Sequence, residues 1–186
     1  MKQHIELNGK TILVTGSPGF IGANLVLRLL TEMSSGTVVS LDNMNDYYDP
    51  ALKEYRLREI KKTAEHSPVK HVFVKGSIAD KALVDEVFAS YQPAVVVNLA
   101  AQAGVRYSID HPDVYIESNL IGFYHILEAC RHNPVEHLVY ALSSSVYTAE
   151  FLFRAFNDLR GNPAVFAGRF SHPGEPVGAG YGLPAG

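Results

Sequence analysis

Short apolar runs alternate with amphipathic segments of helical length through most of the chain. Thr11–Thr15 (TILVT) predicts a first strand, and Phe20–Leu30, with apolar positions at helical spacing, the helix that follows it. Val38–Leu41 predicts a second strand, followed by the charged helix Leu52–Thr63. Val72–Lys75, Lys81–Tyr91, Val95–Leu99, Val114–Arg131 and Leu138–Leu142 continue as strand, helix, strand, helix, strand. The strands are almost continuously apolar rather than alternating, which suits a sheet covered on both faces. Strands separated by helices imply parallel pairing through right-handed crossovers, hence an α/β, doubly wound sheet of order 3-2-1-4-5.

The pattern fails near Thr148. Residues 151–186 contain seven of the 15 glycines, four of the ten prolines and no lysine. Glycine entropy and missing proline donors work against regular structure there. Ala149–Leu159 has the spacing of one more short helix, with Leu152, Ala155, Phe156 and Leu159 on one face. Beyond it nothing is periodic. The expected division is a folded unit over 1–147 and a divergent Gly/Pro-rich tail over 148–186, whose lack of a regular strand would leave the outer edge of Leu138–Leu142 unpaired.

Composition narrows the function class. A length of 186 residues fits about one domain, and 47% hydrophobic with 19% charged residues is globular composition. The net charge of -3 gives no electrostatic basis for nucleic acid or an anionic membrane surface. The single cysteine, Cys130, excludes a disulfide framework, and on an apolar helix face it reads as packing. Eight histidines lack ligand spacing, so no metal site is expected. No apolar run approaches a membrane span, and the polar start MKQHIELNGK lacks a signal-peptide core, so a cytoplasmic location is expected.

The chemistry concentrates between the first strand and its helix. Gly16, Gly19 and Gly22 in Thr15–Gly22 (TGSPGFIG) allow a tight turn, close backbone approach to a pyrophosphate and close helix–strand packing. The helix beginning near Phe20 would aim free amides and its positive end at phosphate. Asp42 ends the second strand, 20 residues after Gly22, where a carboxylate bonds adenosine ribose hydroxyls and repels a 2′-phosphate. The expected cofactor is therefore NAD rather than NADP. Tyr47 and Tyr48 lie either over the adenine side of that site or on the sheet edge.

TGSPGFIG, Asp42-Asn43 and Asn98–Gln102 (NLAAQ) resemble the extended short-chain dehydrogenase/reductase superfamily of nucleotide-sugar enzymes, whose cofactor domain is Rossmann-like. Within it, Asp42–Lys53 (DNMNDYYDPALK), Ala100–Ser108 (AAQAGVRYS) and Ser118–His132 (SNLIGFYHILEACRH) resemble UDP-glucuronate 4-epimerases over about residues 10–147. The resemblance implies that Gly16, Gly19, Phe20, Ile21 and Gly22 hold the pyrophosphate, and Asp42, Asn43 and Asn45 the adenosine ribose. It further implies that Ser77 faces the adenine, that Ile78 belongs to the cofactor site, that Leu99, Ala100 and Ala101 line the cofactor, and that Asn119 backs it. Ser77 stands where the family commonly has aspartate, which weakens the expected adenine contact. The implied substrate is UDP-glucuronate, epimerised by transient oxidation at C4, and a homodimer is the implied assembly.

The catalytic set implied by the same resemblance is incomplete. Ser143 matches the hydroxyl that bonds the sugar O4, while Ser144 and Ser145 match hydroxyls facing the carboxylate end. Gln102 and Arg106 sit on the loop after the fourth strand, where an arginine suits glucuronate or pyrophosphate oxygens and equally a surface salt bridge. The family's proton acceptor is the tyrosine of a Tyr-x-x-x-Lys pair, and no such pair exists: no lysine follows Lys81, and Ala185 stands four residues after Tyr181. The sugar-binding C-terminal domain has no counterpart in 148–186. A shifted reading frame or a truncation accounts for the abrupt change; the competing readings are a non-catalytic NAD-binding module and a relative of UDP-glucuronate decarboxylases or sugar 4,6-dehydratases.

Overall fold

A computed structural model describes residues 5–47, 49–104, 106–141 and, for backbone only, 165–167. In chain order the elements are β1 (Thr11–Thr15), α1 (Phe20–Glu32), β2 (Thr37–Asp42), α2 (Pro50–Glu65), β3 (Lys70–Lys75), α3 (Lys81–Tyr91) and β4 (Val95–Asn98). The short helices α4 (Tyr107–Asp110) and α5 (Pro112–Tyr115), a π-helical segment (Ile116–Gly122), α6 (Phe123–His132), β5 (His137–Tyr140) and β6 (Val165–Ala167) follow. All strand pairs are parallel, in the order β3-β2-β1-β4-β5-β6. The first five stand in the order expected from sequence.

The apolar strands divide their residues between two cores. Ile12, Val14, Val38 and Val95 point to one face and pack with Ala23, Val26 and Leu30 of α1 and Ile60 of α2. Leu13, Val39, Leu41 and Val96 point to the other, against Val84, Val87 and Phe88 of α3 and Ile126 of α6. Burial on both faces is the physical reason the strands read as unbroken hydrophobic runs. The crossover helices begin with capping devices: Asp49 Oδ1 accepts from Ala51 N–H at 2.9 Å ahead of Pro50, and Asp80 Oδ1 from Leu83 N–H at 3.1 Å. α1 is different, since its N-cap is Gly19 and no side chain caps it.

Two expectations are corrected. The single helix expected over Val114–Arg131 is broken into α5, the wide π-helical turn and α6. The wider turn sets Gly122 directly against Ile78, where a Cβ would stand 2.6 Å from Ile78 Cγ1, and carries Asn119 to the loop after β4. The edge of β5 expected to lie open is paired, with Leu138, Val139 and Tyr140 in register with Val165, Phe166 and Ala167. Val165 and Phe166 are β-formers in a short stretch free of glycine and proline within a tail rich in both. The helix expected over Ala149–Leu159 lies outside the described residues. Among the described residues, no helix is long and apolar enough to cross a membrane.

One strand pairing carries a pH prediction. His71 Nε2 on β3 lies 3.0 Å from Ser40 Oγ on β2. Burial, with Lys61 adding repulsion, lowers the imidazole pKa below its ordinary 6.5. The unfolded chain therefore binds the proton more readily, so stability rises with pH across this window and is lost as pH falls through about 6.5. Thermal melts between pH 7.5 and pH 5 should show this slope, and His71→Gln should flatten it. Parallel slopes in the two proteins would show that His71 does not contribute.

Candidate functional site

The site forms at the carboxyl ends of β1, β2 and β4, where the order of connection reverses between β1 and β4. Thr15, the last residue of β1, joins the strand tips. Its Oγ1 donates to Asn98 Oδ1 at 2.6 Å and accepts from Leu99 N–H and Ala100 N–H, each at 3.1 Å. The backbone then turns through Gly16, whose φ of +68 is left-handed. A Cβ there would lie 2.8 Å from Leu99 C and Ala100 N. At Gly19 it would lie 2.9 Å from Gly16 O, and at Gly22 it would overlap that carbonyl outright. The three glycines thus fold one loop against its own helix and the β4 loop, leaving the uncapped start of α1 open.

A cleft of about 500 Å³ runs over this loop to the end of β2. Gly16, Gly19, Phe20, Ile21, Gly22, Asp42, Asn43, Asn45, Ser77, Ile78, Leu99, Ala100, Ala101 and Gln102 all line it, which brings together residues from four separate loops. Tyr47 lines it as well, while Tyr48 lies outside the described residues. Asp42 is fixed from two sides. Its Oδ1 accepts from Met44 N–H at 2.7 Å and from Lys53 Nζ at 3.3 Å, and Lys53 also donates to Asn45 Oδ1 at 2.8 Å. Ser77 Oγ accepts from Ala79 N–H at 3.1 Å, which leaves its proton available for donation into the cleft.

Asn119 acts one layer away. It does not line the cleft; its Oδ1 accepts from Gln102 N–H at 2.8 Å and its Nδ2 donates to Gln102 O at 2.9 Å. This two-bond clamp holds the Gln102 backbone while the Gln102 side chain is buried at the cleft, its Nε2 without a hydrogen-bond partner among the described residues. A buried donor left unsatisfied by the described residues can meet a ligand acceptor. Arg106 is not among the residues lining the cleft: it is exposed immediately before α4, where its carbonyl accepts from Ile109 N–H at 3.2 Å. Ser143, Ser144 and Ser145 lie outside the described residues.

Sequence reasoning missed two cations from the first turns of α2. Lys53 is 7% exposed and, with Arg56, lines the cleft. Arg56 Nη1 donates to Pro18 O at 3.3 Å and its guanidinium stands 5.9 Å from the centre of the Phe20 ring. Lys53 and Arg56 are three residues apart and share a helix face, a signal that was present but gave no target.

The sequence profile of the NAD dependent epimerase/dehydratase family matches residues 12–154. Protein CapI of Staphylococcus aureus is 47% identical over 138 residues, 74% of this chain and 39% of that protein. UDP-glucuronate 4-epimerase 4 of Arabidopsis thaliana is 44% identical over 141 residues, 75% of this chain and 30% of that one. The chain thus spans less than half the length of these curated relatives. Among solved structures, UDP-glucose-4-epimerase of Stenotrophomonas maltophila with bound NAD and formylated UDP-arabinopyranose aligns with a TM-score of 0.60 at 25% identity, over 74% of this chain and 38% of that chain. The Thermus thermophilus UDP-glucose 4-epimerase complex with NAD gives 0.59 at 26% identity, over 81% and 52%. Profile, relatives and fold agree with the glycine loop and Asp42 on one conclusion: the chain belongs to the NAD dependent epimerase/dehydratase family.

Proposed function

We propose that residues 1–147 are the NAD-holding unit of a nucleotide-sugar epimerase acting on UDP-glucuronate, and that the 186-residue chain binds NAD without turning that sugar over. The observation that carries the reading is a glycine cradle at an uncapped helix start, continuous through one cleft with a carboxylate at the end of β2. A pyrophosphate fits here, because the missing Cβ atoms let the loop close on its own backbone and on the β4 loop, so that the uncapped start of α1 faces the cleft. NAD, when bound, supplies the hydride acceptor for oxidation at the sugar C4.

The residues of the chain divide the work of holding it. Gly16, Gly19 and Gly22 let the backbone approach the phosphates, and the Phe20 and Ile21 amides at the start of α1 face them. Asp42, with Asn43 and Asn45, takes the ribose hydroxyls, while Ser77 and Ile78 border the adenine. Leu99, Ala100 and Ala101 exclude water from the far wall, and Asn119 fixes that wall through Gln102. Gln102, Arg106, Ser143, Ser144 and Ser145 are assigned to the UDP-sugar by the resemblance. Residues 148–186 are a divergent tail that contributes Val165–Ala167 to the edge of the sheet as β6.

Titration calorimetry of the 186-residue chain tests the reading: NAD should bind, and bind more tightly than NADP. Asp42→Ala should narrow that difference, and Asp42→Asn should do so with less disturbance of the fold. Breaking a buried ion pair typically costs about 3–5 kcal/mol. Asn45 Oδ1 still accepts from Lys53 in either variant, so a loss near the lower end is expected. No heat of binding with NAD from a folded sample would end the proposal.

A further inference from the structure

Asp42 alone would reject a 2′-phosphate, but in the fold it does not stand alone. Lys53 Nζ is 3.3 Å from its Oδ1, and both side chains are about nine-tenths buried, at 9% and 10% exposed. The carboxylate's repulsion is thereby offset at close range by a fixed ammonium. Arg56 lies three residues on along the same face of α2 and lines the same cleft. It is held over the glycine loop by Pro18 O and the Phe20 ring, and among the described residues it forms no ion pair. Of the charged side chains lining the cleft among the described residues, Asp42 and Lys53 cancel and Arg56 remains. In dinucleotide folds a nearby arginine accommodates a 2′-phosphate, and Arg56, which lines the cleft that Asp42 lines, keeps further donors of its planar fork after one bond to Pro18.

We propose that this cleft accepts NADP as a second ligand, with Arg56 meeting the 2′-phosphate over the Asp42–Lys53 pair. The proposal rests on the NAD-binding reading and makes the preference for NAD a modest one. The test is calorimetry with NAD and NADP on the whole chain and on Arg56→Gln and Arg56→Lys, with circular dichroism confirming that each is folded. NADP should bind within about tenfold of NAD. Arg56→Gln should weaken NADP about tenfold while changing NAD less than about threefold, because only NADP carries the extra phosphate. Arg56→Lys should restore part of the loss, since a point charge replaces the fork. NAD binding without NADP binding would overturn this proposal and leave the NAD reading intact. Equal weakening of both cofactors in Arg56→Gln would overturn it too, placing Arg56 on a group the two share. Binding of neither would fail the NAD reading itself.

Discussion

Gly22→Ala should abolish NAD binding and lower the melting temperature sharply. A Cβ at this position overlaps Gly16 O and lies 2.8 Å from Ser17 Cα and 2.9 Å from Ser17 O. All three are backbone atoms, so no side chain can swing aside to make room. Either α1 retreats from the loop or Gly16 leaves its left-handed conformation, and both movements open the cradle. Overpacking against rigid neighbours costs about 1–3 kcal/mol and at times more. For a chain of this length each kcal/mol lowers the melting point by about 2–4 °C, so a drop of about 6–12 °C is expected at the upper end. Gly9→Ala is the matched control. Gly9 also has a positive φ, +77, but nothing lies within 4 Å of its Cβ position. It should cost only the left-handed penalty of about 1–2 kcal/mol and leave NAD affinity unchanged. A Gly22→Ala protein with the parental melting point and NAD affinity would show that the tight loop packing is not what the site depends on.

The contrast between these glycines marks what sequence alone could decide. Spacing placed Gly16, Gly19 and Gly22 on the loop because each is fixed relative to a strand and helix adjacent in the chain. Asp42 was equally legible, since a parallel strand beside β1 must end at the same sheet edge. Lys53 and Arg56 were not. On a strongly charged helix they read as part of a solvated face, and only the docking of α2 over the β2 end turns Lys53 down onto Asp42. Thr15 was hidden for a related reason: a polar residue at a strand end looks like a terminus, whereas its hydroxyl spans to β4, more than eighty residues away. The π-helical turn escaped because hydrophobic spacing over Val114–Arg131 fits one regular helix. The chain widens there to satisfy the Gln102 backbone, a constraint that no local pattern carries.

The 186-residue chain, saturated with NAD, should form no measurable UDP-galacturonate from UDP-glucuronate. A tyrosine, with an ordinary pKa of about 10, needs a neighbouring cation to serve as a base near neutrality. The chain contains no Tyr-x-x-x-Lys pair to supply one. The described tyrosines offer no replacement. Tyr140, at the end of β5, is half-buried against the Phe123 ring at 5.0 Å, and burial raises its pKa further from neutrality. Tyr115 spends its proton on the carbonyls of Ala103 and Gly104, on the loop after β4. Tyr47 does line the cleft, but Lys53, the lysine that lines it too, is committed to Asp42 and Asn45. Loss of a general base costs about 10²–10⁴-fold in rate. Residues that position the sugar act on top of that, because small misplacements of the reacting atoms are themselves expensive. The assay is chromatographic separation of the two UDP-sugars after long incubation, beside a no-enzyme control and a full-length epimerase of the same family. Turnover above the no-enzyme control would mean that a residue of this chain replaces the tyrosine. Tyr47→Phe would then be the first variant to make, since Tyr47 is the tyrosine shown at the cleft.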